Sequence, residues 1–168
     1  MRDSAEADFA DFYAATWGRT LACTYALTGD RGVAEELAQD AYVKAWQHWG
    51  KVRRYDQPAS WVRQVATRLA VSRWRRTKVA TAWLRRNNTE NVTPPPDETS
   101  TALAQALLQI SEPQRRAIVL HHLADLPVEE VARIEHCPTG TVKARLSRGR
   151  AALALLLADE PTGAPTHV

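Results

Sequence analysis

The chain has 168 residues, room for one ordinary domain or two small ones, and its 45% hydrophobic content excludes a wholly disordered chain. No apolar run reaches the roughly 18 residues a transmembrane helix needs, and two distant thiols, Cys23 and Cys137, imply no disulfide framework. The net charge is only +3, yet no acidic residue lies between Asp56 and Glu90, while Arg63, Arg68, Arg73, Arg75, Arg76, Lys78, Arg85 and Arg86 all do. Such an unopposed block points to a polyanion partner, because bound phosphates release counterions from nucleic acid. The acidic start MRDSAEADFADFY lacks a signal peptide's basic start and apolar core, so a cytoplasmic protein is expected.

Residues 5–28 read as one or two helices, with Phe9, Phe12, Tyr13 and Trp17 recurring at threes and fours as core positions do. TGDRG (28–32) is a turn. A second helix follows over 33–49, with Ala34, Leu37, Ala38, Ala41, Ala45 and Trp46 as its inner stripe. Glu35, Glu36, Gln39, Asp40, Lys44 and Gln47 face outward or flank it. Residues 50–60 (GKVRRYDQPAS) form a loop with Gly, Pro and basic residues, the kind of segment that carries recognition. A third helix spans 60–78, with Trp61, Val62, Val65, Ala66 and Leu69 inward and Arg63, Arg68, Arg73, Arg75 and Arg76 leaving that face. Trp74 on it is either a core aromatic or a stacking platform for an unpaired base.

Residues 81–100 read as a flexible linker: 83–86 extend a short helix, and TPPPDETS (93–100) has three consecutive prolines, which stay out of helices. A second domain begins with a helix over 102–110. Ser111 and Gln114 then fit a capping box, and the helix it opens turns Ala117, Ile118, Leu120 and Leu123 inward. Pro127 is expected in the first turn of the next helix, where its missing N–H is harmless, and Glu129 and Glu130 complement that helix's dipole. Residues 126–157 read as two helices broken at 136–138. The second has Thr139 as its N-cap and Val142, Leu146, Gly149, Leu153, Leu156 and Leu157 on one stripe. Lys143, Ala144, Ser147 and Arg148 lie opposite, flanked by Arg145 and Arg150. The short turn and small, basic outer face suit a helix-turn-helix laid in a major groove; an ordinary helical hairpin is the competing reading. Residues 159–168 should fray.

The architecture expected is all-α, two small helical domains (5–80 and 101–158) joined by a flexible Pro-rich linker (81–100) and followed by a disordered tail (159–168). No GxxxxGK[ST], HExxH, GxSxG or GxGxxG pattern occurs, so no enzyme is expected. His121–His122 and His136–Cys137 lack zinc-ligand spacing, and no metal or other cofactor is expected.

The run 111–150, with PxGTVKxRLxRGR read at Pro138, Gly140, Thr141, Val142, Lys143, Arg145, Leu146, Arg148, Gly149 and Arg150, resembles region 4 of the extracytoplasmic-function sigma factors. AEELAQDAYVKAW (34–46) is similar to the region 2 helix of that family, and 60–78 looks like its regions 2.3 and 2.4. The spacings LTGDRGVAEELAQ and W–x2–V–R–R–x–D–x–P–x–x–W–V–R (49–63) look most like its compact, SigE-like actinobacterial branch.

The resemblance implies a sigma factor that binds core RNA polymerase and directs promoter-specific initiation. Its polymerase contacts would be the clamp helices of the largest catalytic subunit and the flap of the second. Glu36, Gln39, Asp40 and Lys44 would meet the clamp. Arg53, Arg54, Tyr55, Arg68, Arg73, Trp74 and Arg76 would hold the melted minus-ten strand. Thr139, Thr141, Lys143, Ala144, Ser147 and Arg148 would read the minus-thirty-five duplex, with Arg145 and Arg150 as phosphate contacts or intramolecular partners. Tyr42 stands where the family more often has Phe. Arg68 stands where it often has Asn, and a long cation cannot make the same bidentate amide contacts with a base. Ala144 stands where the family often has Ser; it can touch a thymine methyl but cannot hydrogen-bond a base. The implied chain is a monomer when free, binds no membrane, and in many relatives is masked by an anti-sigma factor. A self-sufficient helix-turn-helix regulator explains 126–157 equally well but leaves the helices over 33–46 and 60–78 without a role.

Overall fold

The computed structural model describes residues 2–81 and 98–158, and these residues are helical throughout apart from turns. The linker at 82–97, including the helix expected at 83–86, and the tail at 159–168 lie outside the described residues.

Helix α1 (Arg2–Thr28) is one continuous helix, and the turn after it is built from local bonds. Gly29 takes a φ of 66°, which a glycine adopts without a Cβ penalty, and the Asp30 carboxylate accepts from the Val33 amide at 2.9 Å to cap α2 (Arg31–Gln47). The one-turn helix α3 (Trp49–Val52) occupies the start of the expected loop, and α4 (Pro58–Thr81) opens with proline in its first turn. Ala41, Tyr42, Ala45, Val62 and Ala66 form a core between α2 and α4 that Phe9, Phe12, Tyr13 and Trp17 cover from α1. Tyr42 is buried in it, its hydroxyl 2.7 Å from Thr16 Oγ1 and 3.1 Å from Thr20 Oγ1. The extra oxygen relative to a phenylalanine is therefore bonded rather than stranded. Trp46, expected on the inner stripe, is 43% exposed and only leans on Phe9, with ring centroids 5.1 Å apart.

The second half starts at Glu98, inside the expected linker, with α5 (Glu98–Gln109), followed by α6 (Glu112–Ile118). Ser111 is the N-cap residue of α6, but its side chain makes no capping bond, so the capping box is not formed. A π turn over Val119–Leu123 widens the end of α6, the Ala124 amide bonding back to the Val119 carbonyl at 2.9 Å. Asp125 then takes a φ of 58°. Pro127 caps α7 (Val128–Glu135) from outside rather than sitting in its first turn. His136 ends α7 in the left-handed region, with the Cys137 amide returning to the Ala132 carbonyl at 3.1 Å. Thr139 is the first residue of α8 (Thr139–Ala158) rather than its cap; the Pro138 carbonyl accepts from Val142 at 3.3 Å.

Val142, Leu146, Gly149 and Leu153 seat α8 on the core, while Leu157, expected on the same stripe, is 42% exposed near the helix end. Gly149 is where α8 crosses α6: a Cβ built there would lie 2.6 Å from Ile118 Cδ1 and 3.3 Å from Gln114 Cβ. The main hydrophobic cluster runs through both halves, joining Cys23, Leu27, Ala70 and Val71 to Leu107, Ile118, Leu120 and Leu126. The two helical domains are therefore packed together. Replacing Gly149 with alanine overpacks the α6–α8 crossing, and urea unfolding should show a loss of about 1–3 kcal/mol.

Candidate nucleic-acid interface

The helix-turn-helix presents the residues that its sequence pattern proposes. On α8, Thr139, Lys143, Ser147 and Arg148 are exposed, Thr141 and Ala144 are half-buried, and Val142 and Leu146 anchor the helix beneath them. The flanking arginines are spoken for. Glu135, at the end of α7 with its side chain 3% exposed, accepts from Arg116 Nε at 2.9 Å and lies 3.6 Å from Arg145 Nη1. Arg145 thus belongs to the fold. Arg150 Nη1 lies 3.3 Å from His122 Nε2. Burial first, then the charges of His121 and Arg150, hold His122 below the ordinary imidazole value.

The loop and α4 bring together part of the expected strand-binding set. Arg53 and Arg54 are exposed, Arg53 being 3.4 Å from Asp8, and Tyr55 packs at 6.2 Å on the Trp61 ring. Arg76 is exposed near the end of α4. Arg73 pairs with Glu36 of α2, while Arg68 and Trp74 face the second domain. Arg68 donates to Glu130 at 3.1 Å. Trp74 is a platform, but its tenants are protein: Arg116 stacks at 3.9 Å from the ring centroid and Lys78 at 4.7 Å. Arg75 donates to the Ile134 carbonyl.

Arg63 departs furthest from expectation. It points away from solvent, 6% exposed, and pairs with Asp125 at 2.8 Å while donating to the Leu123 carbonyl at 2.7 Å. Ser60 joins it, 2.7 Å from the same Asp125 oxygen. Burial alone would raise the Asp125 carboxyl, but the Ser60 and Arg63 hydrogen bonds and the charges of Arg63 and Arg19 outweigh it and hold the group below its usual value. Sequence reasoning gave no site role to Ser60 on α4, nor to Asp125 and Glu130, which only tertiary packing brings to that helix.

The α2 face stays open. Glu36, Gln39, Asp40 and Lys44 are all exposed, and Glu36 pairs with Arg73 of α4 at 3.1 Å. Val43, 54% exposed, and Trp46 add apolar area to the same helix. Elsewhere, burial pushes the Cys23 thiol up to about 12, which leaves it protonated. Among the described residues no helix is long and apolar enough to cross a membrane.

Comparison with known proteins adds an independent line. Residues 8–79 match the family model for sigma-70 region 2, and residues 100–153 the model for sigma-70 region 4. The chain is 29% identical to the ECF RNA polymerase sigma factor SigW of Bacillus subtilis, covering 92% of this chain and 90% of that protein. It is 33% identical to the ECF RNA polymerase sigma factor SigM of Mycobacterium tuberculosis, covering 77% of this chain and 67% of that one. Among solved structures, it is similar to the sigma factor RpoE in complex with the anti-sigma factor NepR from Bartonella quintana. The TM-score is 0.65 at 25% identity, over 91% of this chain and 98% of that one.

The Glu135 carboxylate generates a prediction about the fold beneath the interface. Glu135→Ala strands the half-buried Arg116 and Arg145 guanidiniums, and chemical denaturation should show a loss of about 3–5 kcal/mol. An equally large loss from Glu129→Ala, on the exposed side of α7, would show that burial is not the cause.

Proposed function

Because the chain belongs to the extracytoplasmic-function RNA polymerase sigma factors of the sigma-70 family, we propose that its exposed helix faces divide the work of promoter recognition among themselves. The protein binds core RNA polymerase and promoter DNA and directs transcription initiation; nucleotide addition falls to the polymerase. Residues 5–80 serve as region 2, 81–100 as the connection, 101–158 as region 4 and 159–168 as a tail, a division that the region matches at 8–79 and 100–153 support.

The observation that carries the reading is the two-sidedness of α8. Its apolar side is buried while Thr139, Lys143, Ser147 and Arg148 face outward from a helix-turn-helix, as a major-groove reader requires. Lys143, Ala144, Ser147 and Arg148 are assigned to bases, and Thr139 and Thr141 to the start of the helix where it meets the backbone. Arg53, Arg54, Tyr55, Arg68, Arg73, Trp74 and Arg76 are assigned to the minus-ten strand, with arginine for phosphate and aromatic faces for unstacked bases. Glu36, Gln39, Asp40 and Lys44 are assigned to the clamp helices of the largest polymerase subunit, where carboxylates act through steering and register. The flap of the second subunit is the proposed partner of region 4.

The spacings over 27–39 and 49–63, together with mycobacterial relatives such as SigM and SigK, support a place in the compact actinobacterial branch. The neighbouring structure holds an anti-sigma factor, which supports a partner of that kind here. The site of action is wherever core polymerase works, the cytoplasm. A self-sufficient regulator is not favoured, since it gives the α2 and α4 faces no role.

Run-off transcription on genomic promoter fragments, with core polymerase and with or without the chain, tests the reading; chain-dependent discrete transcripts are expected. Arg148→Ala should then cost about 1–3 kcal/mol of discrimination between promoter and mutated minus-thirty-five duplexes in mobility shifts. Asp40→Lys should slow association with core polymerase, most visibly at low salt, and leave duplex binding by α8 intact.

A further inference from the structure

Ser60 and Arg63 have no place in the assignments above, yet they form a built anion site. Both are 6% exposed, and both aim at one oxygen, Asp125 Oδ2, at 2.7 and 2.8 Å respectively. Arg63 Nη2 also donates to Ser60 Oγ at 3.0 Å, which ties the two donors to each other. The anion they hold belongs to the other domain. The pattern continues along α4: Arg68 meets the Glu130 carboxylate and Arg75 meets the Ile134 carbonyl. Residues 63, 68 and 75 thus meet residues 125, 130 and 134 in the same order, a row of guanidiniums against a row of oxygens.

A guanidinium cannot shed its charge, so whatever replaces Asp125 when the domains part has to be another oxygen acceptor. The proposed ligand of this face is a melted DNA strand, and its repeating oxyanion is the phosphodiester. Resting on that reading, we propose that Ser60 and Arg63 bind a backbone phosphate of the melted promoter strand, and that Asp125 occupies their site as an internal stand-in until the domains separate.

Carboxylate and phosphate oxygens accept the same charge-assisted bonds. Asp125 is the displaceable member, its side chain 45% exposed. An open cleft of about 340 Å³, lined by Gln57, Ser60, Trp61, Gln64 and Asp125, leads to the donors from solvent. Region 4 and the strand therefore compete for the same two side chains.

The test uses the full chain and a fluorescein-labelled, random-sequence DNA single strand of about 12 nucleotides, within the usual ssDNA site sizes, titrated at several salt concentrations. Asp125→Gly removes the stand-in without backbone strain, because glycine suits the φ of 58°, and leaves Arg63 its bond to the Leu123 carbonyl. It should bind the strand about five- to tenfold more tightly than wild type, and its log–log salt slope should steepen by about 0.7, the increment for one more phosphate on a single strand. Adding Arg63→Ala should abolish both gains. Should that double variant unfold, Ser60→Ala in the Asp125→Gly chain asks the same question through the other donor and should lower the gain. An Asp125→Gly chain with wild-type affinity and slope, or gains that survive loss of the Ser60 or Arg63 donor, would overturn the proposal. Run-off transcription by the wild-type chain tests the sigma assignment separately: transcripts without the binding gain would sink the phosphate site alone.

Discussion

A buried guanidinium has to end on oxygen, and in this chain that requirement draws the two domains together. Arg63 lies on α4, whose apolar face is already committed to α1 and α2, so its nearest acceptors are the Leu123 carbonyl and the Asp125 carboxylate of the second domain. The π turn at the end of α6 makes both available. It carries the chain past Leu123 and lets Asp125 turn back in the left-handed region. Leaving such a charge without its partner costs about 3–5 kcal/mol, far more than an exposed ion pair gains. The remaining contacts between α4 and α7 are of the weaker kind, since Arg68 is 44% exposed on its side of the pair with Glu130.

The same logic ties the helix-turn-helix to Trp74. Glu135 holds Arg116 in place, and the Arg116 guanidinium lies over the indole. A residue suited to stacking an unpaired base therefore stacks a guanidinium supplied by the domain that reads duplex DNA. The α2 row and the outer face of α8 are meanwhile uncovered. On the proposed assignments, the closed chain would meet polymerase through α2 and a duplex through α8 while its strand-binding helix is occupied.

The outer face of α8 was legible in the sequence because helical period and polarity agree there; that Gly149 sits where α8 crosses α6 emerged only from the packing. The α2 face was legible for the same reason, apart from Trp46, where an aromatic at helical spacing sits at the edge rather than within the core. Arg63 was not legible. An arginine in a basic block looks like its neighbours, and only contacts some 60 positions away in the chain distinguish it. The π turn and the uncapped Ser111 were hidden for a related reason: packing of Ile118 and Leu120 against the shared core decides the geometry there, overriding the local capping signal.

Which ligand opens the chain follows from differential contact. A partner that binds the closed and open forms equally shifts nothing, however tight it is. Polymerase touching only the α2 row, or a duplex touching only α8, would leave the equilibrium where it stands. A partner that holds the two domains apart, or a strand that supplies its own oxygens to α4, binds only the open form. The strand has the added advantage of replacing the acceptors that Arg63, Arg68 and Arg75 give up, so the cost of uncovering those charges is offset as it is incurred. Opening is thus favoured where the domains are separated by a large partner and a melted strand is at hand, which are the conditions at a promoter.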